Sequence, residues 1–218
     1  AILENVILVD GDPDFFDRSI TENGRASYPT SFIKGADASG WVDDHPKNII
    51  MLTCDAFGIL PAVSKLSSKE AASQFLLGYT AKVAGTEKGV KEPKATFSPC
   101  FGLPFMPLKP EVYGDILSEK IIKHNVCCWL VNTGWAGGPP GKGKRMPLAT
   151  TRKIINKILD GTLERCPTIT HHQTNFSIPV TSDISRELLV PELCWESKKE
   201  YDISAKELMA MFKEQLNK

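Results

Sequence analysis

The 218-residue chain carries 26 basic and 26 acidic residues, so its formal charge balances and nothing in it points to a nucleic-acid backbone or an anionic membrane surface. Its length suffices for a buried core, and its longest apolar runs, such as VCCWLV from Val126 to Val131, are far too short to cross a bilayer. These properties predict a soluble globular unit, bound to neither nucleic acid nor membrane, in which any anion site is local.

The opening AILENVILVDGD has no basic start and no small-residue cleavage site, and it begins without Met, which suggests a processed, engineered or incomplete chain. Within it, NVILVD (Asn5 to Asp10) is the first strand candidate. NIIMLTCD (Asn48 to Asp55) and NVCCWLVN (Asn125 to Asn132) follow, each a continuous apolar run that predicts a strand buried on both faces. Ser67 and Glu70 form a capping-box pattern before a helix whose stripe is Ala72, Phe75, Leu76 and Tyr79. Pro110 suits the start of a second helix, with Val112, Ile116, Leu117 and Ile121 on one face. Thr150 or Thr151 can cap a third, with Ile154, Ile155, Ile158 and Leu159 inward and Gly161 as the stop. Ser204 and Glu207 form a capping box for the last helix, with Ile203 and Leu208 as staple and Leu208, Met211, Phe212 and Leu216 as stripe.

This alternation predicts an α/β (mixed α+β) fold. Two Gly/Pro-rich segments, Ala84 to Pro110 and Thr133 to Pro147, are too long to be mere connectors. Cys54, Cys100, Cys127, Cys128, Cys166 and Cys194 are dispersed, without a C-x-x-C pair, which favours reduced thiols in an intracellular compartment.

The chemistry-bearing residues concentrate in VNTGWAGGPPGKGKRMPLATTRK (Val131 to Lys153). Gly138, Gly143 and Lys144 fit the G-x-x-x-x-G-K frame of a phosphate loop, but Arg145 replaces the magnesium-binding Ser or Thr. Pro139 and Pro140 also offer no N–H to a phosphate. A solvated basic loop and a nucleotide-facing loop both stay open, since Lys142, Lys144 and Arg145 cluster just after an apolar strand, where α/β ligand sites tend to lie. NIIMLTCD resembles a strand ending in a magnesium-holding Asp, although capping of the next turn is the commoner role for Asp55. His171 and His172 are adjacent and make a poor metal pair, and Cys127 and Cys128 read as buried thiols.

Three stretches in order, ITENGRASYP (Ile20 to Pro29), HPKNIIMLTCDAFGILPAVSKLSSKEAASQFLLGYTAKVAGTE (His45 to Glu87) and NTGWAGGPPGKGKRMPLATTR (Asn132 to Arg152), resemble the ATP-dependent phosphoenolpyruvate carboxykinases. The resemblance is dense from Thr21 to Leu163 and implies the C-terminal, mononucleotide-binding region of that fold, incomplete without an N-terminal part. It implies an enzyme of gluconeogenesis that decarboxylates oxaloacetate and phosphorylates the enolate with ATP, giving phosphoenolpyruvate, carbon dioxide and ADP. The Arg of the family's TENTR motif, which bridges substrate and γ-phosphate, matches Arg25, with Gly24 in place of the Thr. The G-K-R-[IM] segment and the Thr after it, which meet the adenine nucleotide, match Arg145, Met146 and Thr151. Thr80 to Gly102 resembles the mobile lid, with Gly85 and Gly89 as flexible points.

The resemblance further implies ATP with Mg2+ and Mn2+ as cofactors, the metal ligands and the true phosphate loop lying outside these 218 residues. The partners it implies are oxaloacetate or phosphoenolpyruvate, ATP or ADP, the N-terminal portion of the same enzyme, and further copies in a homo-oligomer, all in the cytoplasm. By itself the chain is expected to be inactive. The rival expectation is a non-catalytic carboxykinase-like fragment acting as a binding or interaction module.

Overall fold

A computed structural model describes residues 1–20, 24–37, 39–42, 44–83 and 93–217, which fall into two units, Ala1–His45 with Lys82–Pro93 and Pro46–Ala81 with Lys94–Lys218. In the first unit β1 (Ile2–Glu4), β2 (Ile7–Val9), β3 (Asp12–Asp14) and β4 (Arg25–Ser27) form two antiparallel ribbons, β1 with β4 and β2 with β3. The β2–β3 turn is Asp10-Gly11, both at positive φ, the two-residue geometry that matches the twist of a hairpin. NVILVD is thus a strand, but not one buried on both faces: Leu8 and Val9 are exposed, because among the described residues this ribbon joins no larger sheet.

The second unit is built on a mixed five-stranded sheet. Its elements in chain order are β5 (Asn48–Thr53), β6 (Val63–Leu66), α1 (Ser68–Leu77), β7 (Tyr79–Lys82), β8 (Lys94–Phe97), α2 (Pro110–Lys123), β9 (Cys127–Asn132), β10 (Trp135–Ala136), β11 (Lys144–Arg145), α3 (Leu148–Leu159), α4 (Thr162–Arg165), β12 (Thr168–Thr170), β13 (Ser177–Pro179), α5 (Arg186–Leu189) and α6 (Lys198–Leu216). The sheet order is β12-β13-β6-β9-β5, with β5 parallel to β9 and the other pairs antiparallel. The α/β (mixed α+β) expectation is met.

β9 shows why its sequence is apolar throughout. Successive side chains point to opposite faces of a strand. Cys128 and Leu130 join one core with Leu77, Ile121, Tyr201 and Leu208, whereas Trp129 and Val131 join another with Ile154, Ile158, Leu163 and Leu189. Helices α1, α2 and α6 therefore cover one face, and α3, α4 and α5 the other.

Helix starts and faces depart from the sequence reading in instructive ways. The Ser67–Glu70 capping box is present, but α1 buries Ala71, Gln74 and Leu77, one residue out of phase with the expected stripe. Tyr79 is not on that helix, because Gly78 turns left-handed (φ 50) and starts β7. On α2 Gly114 and Ile121 are buried and Leu117 packs against the same core, as expected of Leu117 and Ile121, while Val112 and Ile116 are exposed. There a Cβ at residue 114 would press on Leu76 at 3.2 Å, so the glycine sets the approach of α1 and α2.

Neither Thr150 nor Thr151 caps α3. The helix starts at Leu148 after Pro147, its buried residues are Ile154 and Ile158, and Leu159 is exposed. Helix α6 begins six residues before the expected Ser204, capped by Ser197, whose Oγ accepts from Glu200 N. The earlier start wins because it buries Tyr201 and Ala205 along with Leu208 and Phe212. Ile203 is exposed and forms no staple, and Leu216 is exposed too.

Candidate nucleotide-facing site

At the C-terminal ends of the parallel strands β5 and β9 the chain breaks into two tight turns locked together by polar side chains. Asp55, fully buried, accepts at Oδ1 from Phe57 N (2.8 Å) and Tyr79 Oη (2.8 Å), and at Oδ2 from Ile59 N (2.6 Å) and Leu60 N (2.8 Å). Burial pushes its carboxyl pKa up, and these donors oppose the rise. With two donors on each oxygen, no lone pair remains for a proton or a metal. Burial also raises the Tyr79 hydroxyl, with the Asp55 charge adding to it, so Tyr79 stays a donor. Asp55 thus plays the turn-capping role rather than that of an open magnesium ligand.

Asn132 ties the two turns together. Its Oδ1 accepts from Asp55 N (3.1 Å) and Gly134 N (2.8 Å), and its Nδ2 donates to Leu60 O (2.9 Å). Gly134 is required by close approach: a Cβ there would lie 2.2 Å from both the N and the O of Asp55. The next N–H, from Trp135, donates to Asp55 O (2.8 Å).

From this base rises the β10–β11 hairpin, in which Trp135 faces Arg145 and Ala136 faces Lys144. The Arg145 guanidinium carbon lies 4.7 Å from the Trp135 ring centroid, and its Nε donates to Thr133 O at 2.7 Å. The cross-strand register thus lays a planar cation on an aromatic face. Arg145 remains exposed, and among the described residues its terminal amino groups have no hydrogen-bond partner.

The loop between these strands is no phosphate cradle. Lys142 N and Gly143 N both donate to Pro139 O (3.0 and 2.8 Å), and Met146 N donates to Gly134 O (2.7 Å). A Cβ at Gly143 would sit 2.1 Å from Gly138 O, so the glycine serves packing. The three basic residues do not act as one patch either. Lys142 pairs with Glu200, Arg145 stacks on Trp135, and Lys144 is exposed.

Of the other expected adenine contacts, Met146 is buried in the apolar cluster with Trp129, Val131 and Ile154, and Thr151 is half-buried in the first turns of α3, its N–H directed to Pro147 O. Beside the hairpin lies a cleft of about 520 Å³, lined by Lys142, Lys144 and Arg145 together with Glu187, Leu188, Cys194 and Glu196. Arg145 lines it, and Met146 and Thr151 do not. Arg25 belongs to the first unit, where it pairs with Glu4 at 3.6 Å and helps line a 220 Å³ cavity with Asn5, Asp14 and Arg18. Residues 21–23 of its motif lie outside the described residues, as do Gly85 and Gly89 of the expected lid.

The remaining titratable groups are committed elsewhere. His171 is buried, with Nδ1 2.8 Å from Thr174 Oγ1 and Nε2 3.0 Å from Tyr201 Oη, and burial, reinforced by His172, lowers its pKa to about 4. Cys128 is buried and its thiol is raised to about 11 by burial, whereas Cys127 is half-buried, with its Sγ 3.2 Å from Glu164 Oε1. Among the described residues no group of three or more His, Cys, Asp or Glu side chains is placed to hold a metal ion. No described helix is long and apolar enough to cross a membrane.

A family model described as phosphoenolpyruvate carboxykinase matches residues 1–186. The chain belongs to that family. It is 50% identical over 221 residues to a phosphoenolpyruvate carboxykinase (ATP) of Azorhizobium caulinodans, covering 100% of this chain and 41% of the relative. Similar proteins of the same description from Agrobacterium fabrum and Mesorhizobium japonicum are each 50% identical over 214 residues, covering 97% of this chain and 40% of theirs. The chain therefore spans about two fifths of the length of these curated relatives, corresponding to their C-terminal portion.

In this carboxykinase chain, several residues that shape the site escaped the reading of the sequence. Trp135 carried no signal until the hairpin register set it opposite Arg145. Periodicity alone puts Tyr79 on a helix, and Asn132 reads as a strand flank. The clue to both was Asp55: an Asp at the end of an apolar strand needs donors, and the nearest polar strand ends are where they come from.

Proposed function

We propose that this chain is the adenine-side and lid portion of an enzyme that decarboxylates oxaloacetate and transfers the γ-phosphoryl group of ATP to the enolate oxygen, yielding phosphoenolpyruvate, carbon dioxide and ADP. The observation that carries the reading is Arg145, held by Thr133 O and stacked on Trp135 in a chain half identical to ATP-dependent carboxykinases. A purine base adds to the open face of that guanidinium by the same cation–π attraction that holds Trp135 beneath it. Thr151 supports the base from the first turns of α3, and the buried Met146 does so by fixing where the backbone leaves the hairpin ahead of that helix. Arg25 forks onto anionic oxygens of the substrate and the γ-phosphate, a task suited to a planar guanidinium. Residues 80–102 close over the site, and the enzyme works in the cytoplasm.

Mg2+ or Mn2+, when bound, offsets charge on the transferring phosphoryl group. Its ligands, and the phosphate loop, belong to the portion of the enzyme outside this chain. Arg145→Gln in the full-length protein tests the reading. The KM for ATP is expected to rise about 10-fold, the loss of roughly one stacked cation–π contact, while the KM for oxaloacetate holds. An unchanged KM for ATP would refute the assignment.

A further inference from the structure

The hairpin that carries Arg145 is gripped at its tip by a segment to which the carboxykinase reading assigns no role. Residues 137–143 form that tip, and they meet Gly58 on one side and residues 194–200 on the other. A Cβ at Gly58 would lie 2.6 Å from Gly138 N and O, and one at Gly137 would lie 2.7 Å from Cys194 O, so backbone presses on backbone at both places. Trp195 links the two flanks: its Nε1 donates to Gly58 O at 3.0 Å. Lys142 completes the grip, with its ammonium 5.6 Å from the Trp195 ring centroid and ion-paired to Glu200.

The far end of this grip is anchored in the core. Glu200 is in the first turn of α6, which Ser197 caps. The adjacent Tyr201 is buried, packs edge-on against Trp195 with centroids 5.8 Å apart, and lies 3.0 Å from His171 Nε2. Trp195 and Glu200 fall beyond residue 186, where the family model ends.

We infer that Lys142, Trp195 and Glu200 are positioning residues that hold the 137–143 tip and so fix the plane of Arg145 for the nucleotide base. Lys142 is three residues from Arg145 in the same tight hairpin, and Gly143 between them is packed on Ala136 O and Gly138 O. Release of the tip therefore loosens the register that sets Arg145 on Trp135. The inference rests on Arg145 contacting the base, as proposed above. Both contacts of Lys142 are partly exposed, so their loss is expected to be modest.

The test compares Lys142→Met, Glu200→Gln, the double variant and Lys142→Arg in the full-length enzyme, with Arg145→Gln as reference. Each single removal is expected to raise the KM for ATP and the Kd for ADP roughly 3–10-fold, with kcat and the KM for oxaloacetate within about twofold. The double variant is expected to be no worse than Lys142→Met alone, because Glu200→Gln removes only the ion pair that Lys142→Met already breaks. Lys142→Arg, which keeps the charge, is expected to restore affinity. If Arg145→Gln weakens ATP binding and the Lys142 and Glu200 variants do not, the clamp is wrong and the carboxykinase reading stands. If Arg145→Gln has no effect either, that reading falls as well. Equal losses in kcat and both KM values, with a lowered Tm, would mark a purely structural pair and overturn the inference.

Discussion

Asp55→Asn is the sharpest perturbation of the scaffold beneath the site, because the side chains are isosteric and only hydrogen-bonding capacity changes. Asp55 accepts four donors, two on each oxygen. An amide keeps one acceptor oxygen and turns the other into a donor. If the new nitrogen replaces Oδ2, the N–H groups of Ile59 and Leu60 both face a donor. If it replaces Oδ1, the Phe57 N–H and the Tyr79 O–H both face a donor, and a hydroxyl that rotates to accept from the amide leaves its own proton without an acceptor. Either arrangement strands two buried donors, at about 1–3 kcal/mol each. Loss of charge assistance in the two surviving bonds adds to this, and relief from burying a charge offsets part of it. A net destabilisation of about 2–3 kcal/mol is expected, a large share of a typical folding free energy of about 5–15 kcal/mol. Denaturant unfolding followed by tryptophan fluorescence and far-UV circular dichroism measures it. A change below about 0.5 kcal/mol would mean that the carboxyl is already protonated, and the account of Asp55 as an ionised cap would be refuted.

Two further outcomes follow from buried groups. The His171 pKa is depressed in the fold to about 4, below its ordinary 6.5, so the unfolded chain takes up the proton first on acidification. Stability is therefore full above about pH 6.5 and falls as pH drops toward 4, by about 2 kcal/mol at pH 5. His171→Gln should flatten that part of the pH–stability curve, and an NMR titration of His171 with a midpoint near 6.5 would contradict the burial argument. Gly134→Ala would drive a methyl into the Asp55 backbone at 2.2 Å, where no flexible side chain can yield. It should cost at least about 2 kcal/mol, and a wild-type unfolding midpoint would show that the hairpin does not sit as described.

The sheet was legible because two of its strand runs are apolar throughout, and β5 and β9 lie where NIIMLT and CCWLVN stand, although β5 is an edge strand with Leu52 exposed rather than one buried on both faces. NVILVD has the same local look, yet among the described residues its strand β2 pairs with Asp12–Asp14 alone. Apolar runs report suitability for burial, not the presence of a covering layer. The start of α6 misled because Ser197-x-x-Glu200 and Ser204-x-x-Glu207 match the same capping pattern, and only the core packing of Tyr201 and Ala205 decides between them. At the site, Arg145 stood out as a basic residue in a Gly-rich stretch. Its platform Trp135 depends on strand register, and the Lys142–Glu200 pair spans 58 positions, a separation no local pattern records.

The Gly-rich basic stretch also shows what separates an anion cradle from a stacking platform. Both use glycine after an apolar strand, but for opposite reasons. A cradle needs glycine to free N–H groups for a phosphate, whereas here the N–H groups of Gly134, Trp135, Lys142, Gly143 and Met146 all donate within the fold. The glycines at 58, 134, 137 and 143 instead let backbone approach backbone closely. What such a hairpin can still offer a ligand is carried by side chains, and the exposed one with unspent donors and an open planar face is Arg145. Under the proposed function that planar face meets the base of the nucleotide, and the proposal assigns the triphosphate to the portion of the enzyme outside this chain.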